Sequence, residues 1–164
     1  MVVEGIEVAV VDLAGHSPGQ VGYLVDGVFF CADVVLPAGV LAKYKIPYLY
    51  SVTDHLRALE RAEGVGCAMA VPGHGPVVES LAELVRANRG LVEAVAEKVV
   101  ALAGEPKTAE VILEGVLMHF GAAVGDAPSF YLLQPTVFAF LSHLHREGRV
   151  GHQVRDGRSL WSAI

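Results

Sequence analysis

Residues 14–33 read Ala-Gly-His-Ser-Pro-Gly-Gln-Val-Gly-Tyr-Leu-Val-Asp-Gly-Val-Phe-Phe-Cys-Ala-Asp, and this stretch decides how the first half of the chain folds. Asp26-Gly27 tolerates positive φ and separates two strand-like runs, Val21–Val25 and Val28–Cys31, which predicts a tight hairpin. Upstream, Ile6, Val8 and Val10 alternate with Glu7 and Ala9, the period of a half-buried strand. Downstream, Pro37 to Pro47 holds a short helix. Ser51–Glu63 then reads as a longer one, with Val52, Leu56 and Leu59 on one face, Arg57 and Arg61 on the other, and Gly64 at its end. Cys67–Val71 is a short apolar strand that stops at Pro72-Gly73. A helix from about Glu79 to Ala103 follows, with Leu81, Leu84, Val85, Leu91, Val92, Val95, Val99 and Leu102 on one stripe. The fold class is α/β (α+β).

The pattern changes after Gly104-Glu105-Pro106, which sets the boundary between residues 1–104 and residues 105–164. Thr108 caps a helix reaching about Phe120, and Gly121–Ser129 is a loop of small residues. Pro135 sits at the favoured first position of a second helix, with Val137, Phe138, Leu141 and Leu144 on its buried face and Gly148 beyond its end. Arg149–Val154 and Arg158–Ala163 flank Asp156-Gly157, a second hairpin signal. Helix, helix, hairpin is the order of a winged-helix-like domain.

Composition narrows the function classes. Apolar residues make up 53% and charged ones 18%, which excludes disorder. The net charge of −6 argues against a nucleic-acid binder held by bulk electrostatics. Two cysteines in apolar runs, Cys31 and Cys67, read as buried free thiols in a reducing compartment. Glu4, Glu7 and Asp12 leave no basic stretch ahead of an apolar run, so no secretory signal is expected. Asp26 and Asp33 interrupt the most apolar segment, which makes it a poor membrane span. A cytoplasmic protein is the expectation.

Three fragments end apolar runs with a potential metal ligand: Gly15-His16-Ser17-Pro18-Gly19, Cys31-Ala32-Asp33 and Pro72-Gly73-His74-Gly75. Imidazole and carboxylate are the donors that zinc or iron takes in hydrolytic sites, and flanking Gly and Pro fix turns that aim the ring. In this order, the fragments resemble the C-terminal half of the metallo-β-lactamase superfamily, over residues 1 to about 76. Pro47-Tyr48-Leu49-Tyr50-Ser51 through Leu59 is similar to a segment between the last two ligands of many members. The tail is similar to the winged-helix extension of the lactamase-β-like branch. The resemblance implies the C-terminal half of an αββα sandwich, with His16 on a first zinc ion, His74 on a second and Asp33 bridging both.

One departure matters as much. The family's His-x-His-x-Asp-His motif is absent. His55, His119, His143, His145 and His152 have the wrong spacing, and His143 and His145 point about 200° apart on an exposed helix surface. Each ion therefore has two ligands here, one of them shared, where a catalytic zinc has three plus water. No catalytic acid, base or nucleophile is assigned in this chain. A C-terminal piece of a longer protein, one part of a split enzyme, or a degenerate scaffold all fit.

The first functional reading is thus the C-terminal portion of a metal-dependent hydrolase, inactive alone; the substrate of the completed site, a small molecule or an ester or phosphodiester, is left open by the sequence. Its inner sheet face would be bare and apolar, to be covered by an N-terminal half polypeptide or by a homo-oligomer. The alternative is a non-catalytic winged-helix binding or scaffold module, with Arg146, Arg149, Arg155 and Arg158 meeting nucleic acid or a protein partner.

Overall fold

The computed structural model describes residues 1–164, in two compact units: Met1–Lys43 with Ser51–Gly90, and Tyr44–Tyr50 with Leu91–Ile164. The first unit opens with a small antiparallel pair, β1 (Val2–Val3) and β2 (Ile6–Glu7). The single strand expected around Ile6–Val10 is broken, because β3 (Ala9–Asp12) belongs to a different sheet. There it pairs with β4 (Val21–Val25), which forms the expected hairpin with β5 (Val28–Ala32). Asp26 and Gly27 make the turn with φ of 48° and 77°. The chain crosses through α1 (Ala38–Tyr44) and α2 (Val52–Glu63) to β6 (Met69–Pro72), parallel to β5. Sheet order is β3-β4-β5-β6.

One face of this sheet is covered. Leu13, Phe29, Cys31 and Ala70 form a core with Ala58, Leu59 and Ala62 of α2 and with Leu81, Leu84 and Val85 at the start of α3 (Leu81–Leu102). Burial pushes the Cys31 thiol up to about 12, which makes it inert. Cys67 is only partly buried, a correction to the expectation of two buried thiols. The other face is bare. Val10 pairs with Tyr23, and Tyr23 with Phe30, in a row across three strands. These residues and Met69 are 42–51% exposed.

In the second unit α4 (Ala109–Phe120) begins after Thr108 as read from the sequence, although the Thr108 side chain makes no cap bond. α5 runs from Ala127 to Arg146. Four expectations fail here. The loop to Ser129 ends sooner because Asp126 caps the helix, its Oδ1 accepting from Ser129 N–H at 2.8 Å. Pro135, expected at the first position, lies inside the helix. Phe138 is exposed and Phe140 takes the buried place. His143 is buried rather than on a surface; burial lowers its basicity against the opposing pull of Glu147, 3.4 Å away. The hairpin β7 (Val150–Arg155) and β8 (Arg158–Ala163) closes the chain. No helix is long and apolar enough to cross a membrane.

Candidate metal centre

The three residues singled out in the sequence come together at one end of the sheet. Asp33 stands between the two histidines: Oδ2 is 3.7 Å from His16 Nε2 and Oδ1 is 2.8 Å from His74 Nδ1. His16 and Asp33 are about one-fifth exposed at the side chain and His74 is open to solvent.

Local backbone features aim the carboxylate. The β5–β6 register shifts between Phe30 and Ala32, and Ala32 has φ of 48°. Such a bulge redirects the next side chain at the end of a strand, and a non-glycine residue at positive φ stores about 1–3 kcal/mol. Gly73 N–H donates to the Ala32 carbonyl at 2.8 Å. A Cβ on Gly73 would stand 2.6 Å from Asp33 Oδ1, so only glycine lets this loop pass so close to the carboxylate.

The His16 loop is fastened to α2 at both ends. Ser51, the N-cap of α2, donates its N–H to the Gly15 carbonyl at 2.9 Å, and a Cβ on Gly15 would overlap the main chain of His55. At the other end, Arg61 Nε donates to the Asp12 carbonyl at 2.7 Å and Asp12 Oδ1 accepts from Ala14 N–H at 3.0 Å. Arg61 had read as a surface residue of α2, and its hold on the loop gives no signal in the local sequence.

His55 was set aside in the sequence, yet it is 3% exposed with Nδ1 lacking a hydrogen-bond partner. Burial, and secondarily the charge of His16, lower its pKa to about 4, so it is neutral at physiological pH. The sequence signal was its place between Val52 and Leu59 on the apolar face of α2.

The donor set suits a divalent transition metal. Two donors each about 2.1 Å from one ion stand about 3.0–3.5 Å apart. The spacings at Asp33, 3.7 and 2.8 Å, fall just outside that range on either side, and the shorter one is a direct hydrogen bond from His74 to Asp33; one carboxylate oxygen is directed at each imidazole. No group of three His, Cys, Asp or Glu side chains is placed to hold a single ion. The chain thus offers a pair of donors on each side of Asp33.

No protein-family model matches the chain. It is 24% identical to the atrochrysone carboxyl ACP thioesterase of Aspergillus fumigatus, over 98% of this chain and 53% of that protein. Two solved structures share its fold. A metallo-beta-lactamase family protein from Thermus thermophilus superposes with a TM-score of 0.79 at 21% identity, over all of this chain and 52% of that one. A beta-lactamase domain protein from Burkholderia ambifaria gives 0.84 at 21% identity, over all of this chain and 49% of that one. The chain spans about half the length of these relatives, and over that half it has the metallo-β-lactamase fold.

Proposed function

We propose that this chain, with its half-length metallo-β-lactamase fold, is the C-terminal portion of a metal-dependent hydrolase and supplies one half of a dinuclear zinc site. The observation that carries the reading is Asp33, whose two carboxylate oxygens face different histidines. His16 and Asp33 would hold one ion, and Asp33 and His74 the other. When bound, such ions act as Lewis acids, polarising a scissile carbonyl and making water more acidic.

The chain's own residues do the positioning. Asp33 would place its carboxylate between the two ions, and the register shift at Ala32 together with Gly73 fixes its direction. Arg61, Ser51 and the Gly15 turn set the height of His16 above α2. The neutral, buried His55 adds no competing positive charge beneath it. The remaining ligands, and the acid or base that moves the substrate proton, come from the N-terminal half of the fold. The bare face bearing Val10, Tyr23, Phe30 and Met69 is where a second sheet would pack, and self-association would serve the same end. The thioesterase likeness favours an acyl ester or thioester over a phosphodiester. Two unbridged cysteines fit a cytoplasmic protein.

Residues 105–164 follow the helix, helix, hairpin order of a winged helix. Nucleic-acid binding by this module is the weaker reading, because Arg149 is tied to Glu97 through contacts of 2.8 and 2.9 Å.

The test is thioester hydrolysis by the chain alone and after co-expression with an N-terminal half of the fold. The chain alone should show no turnover, and the pair should show zinc-dependent turnover. Zinc-dependent turnover by the chain alone, abolished in His74→Ala, would overturn the half-site reading.

A further inference from the structure

Asn88 is the single asparagine of the chain and is 4% exposed on α3. All its hydrogen bonds go to main chain. Oδ1 accepts from Leu36 N–H at 2.9 Å, and Nδ2 donates to the Leu36 carbonyl at 3.0 Å and the Leu84 carbonyl at 2.8 Å. Leu36 belongs to the buried run Val34-Val35-Leu36-Pro37 that follows Asp33 directly. Main-chain polar groups in such a loop cannot turn to water, and an unpaired one carries its full desolvation cost. The Asn88 amide meets both groups of Leu36 as a neighbouring strand would. Asp33 is therefore held from two directions, by the Ala32 bulge before it and by Asn88 acting on Leu36 three residues later.

We propose that Asn88 is a positioning residue for the Asp33 carboxylate, fixing Leu36 from α3 so that Asp33 stays between His16 and His74. Without the amide, Leu36 must find other partners for its N–H and carbonyl, and the loop can do so only by moving, which tilts Asp33. This deepens the proposed metal site and rests on that reading for its functional meaning.

The experiment compares Asn88→Ala and Asn88→Asp with Val99→Ala, which removes buried volume from the same helix away from the loop. Two quantities are read at a temperature where circular dichroism is native: the ring nitrogen and Nδ1–H resonances of His74, which report its bond to Asp33, and Zn²⁺ affinity by chelator competition. Asn88→Ala should shift the His74 resonances and lower Zn²⁺ affinity roughly tenfold, the usual size of an effect from behind a ligand. Asn88→Asp, which keeps an acceptor for Leu36 N–H, should fall between. Val99→Ala should melt earlier with both readings unchanged. An Asn88→Ala protein that melts earlier yet keeps wild-type His74 resonances and Zn²⁺ affinity would overturn the proposal. If that variant does not fold, wild-type readings from Asn88→Asp would do the same. Zn²⁺ affinity is read on the chain co-expressed with an N-terminal half of the fold, because two donors per ion hold zinc weakly or not at all in the chain alone. Failure of that complex to take up Zn²⁺ would count against the metal site, while the His74 resonances still decide the role of Asn88.

Discussion

The two faces of the four-stranded sheet are built from one alternation and meet opposite fates. Phe29 and Phe30 are neighbours in β5, yet Phe29 is fully buried against the helical layer and Phe30 is 45% exposed. On the covered side the sequence has small residues where helices approach, such as Ala58, Ala62 and Ala70. On the bare side it keeps valines and aromatics, the residues of a packed sheet rather than of a solvated one. The difference is one of composition and exposure, and it is the pattern that the proposed partner layer would require.

The sharpest way to break the comparison is to truncate the two phenylalanines separately. Phe29→Ala should cost about 3–5 kcal/mol, the range for emptying a packed aromatic site. Phe30→Ala should stay within about 0.5 kcal/mol in the chain alone. Denaturant unfolding measures both, and similar losses would show that the faces are equally packed.

A smaller effect comes from pH and belongs to the covered side. His55 has a folded pKa of about 4 against an ordinary 6.5, so the unfolded chain binds its proton first. The stability that neutral His55 allows is complete above pH 6.5 and is lost as pH falls toward 4, by about 3 kcal/mol at 1.36 kcal/mol per unit. The lowered basicity of His143 adds in the same direction. His55→Leu should flatten melting temperature across this window, and an unchanged slope would remove His55 as its source.

Gly73→Ala probes the end of the sheet where the two faces give way to the site. The added methyl meets Asp33 Oδ1 and the Ala32 carbonyl carbon, at 2.6 and 3.3 Å, so Asp33 must move. About 1–3 kcal/mol of stability should be lost together with Zn²⁺ affinity, since overpacking typically costs that much. Calorimetry reads both.

The least effect on folding should come from charging the bare face. Tyr23→Lys with Phe30→Lys should leave the melt within about 0.5 kcal/mol while abolishing self-association in light scattering. A folded wild-type monomer at high concentration would weaken the case that this face awaits a partner.

Much of this was legible beforehand, and for physical reasons. Asp26-Gly27 and the alternation around it specify the hairpin locally, and Gly73 beside His74 marks a tight approach. The second helical region departs from its expectation because Pro135, a favoured helix start, lies inside α5, where it forgoes the hydrogen bond to residue 131 and crowds that carbonyl while packing holds the helix. Asn88 and His55 escaped the sequence reading as functional candidates for a different reason. Each is a polar residue on an otherwise apolar helix face, and only the tertiary fold shows what its polar atoms meet. Asn88 sits four residues after Leu84 and four before Val92, a break in the stripe that did carry the signal.

The central claim is that Asp33 is shared between two metal ions, with His16 serving one and His74 the other. Metal content per complex, measured after co-expression with an N-terminal half of the fold, tests it most directly. The account predicts two ions in the wild type, loss of mainly one in His16→Ala, loss of mainly the other in His74→Ala, and weakening of both in Asp33→Ala. Equal and minor losses from all three variants would contradict it.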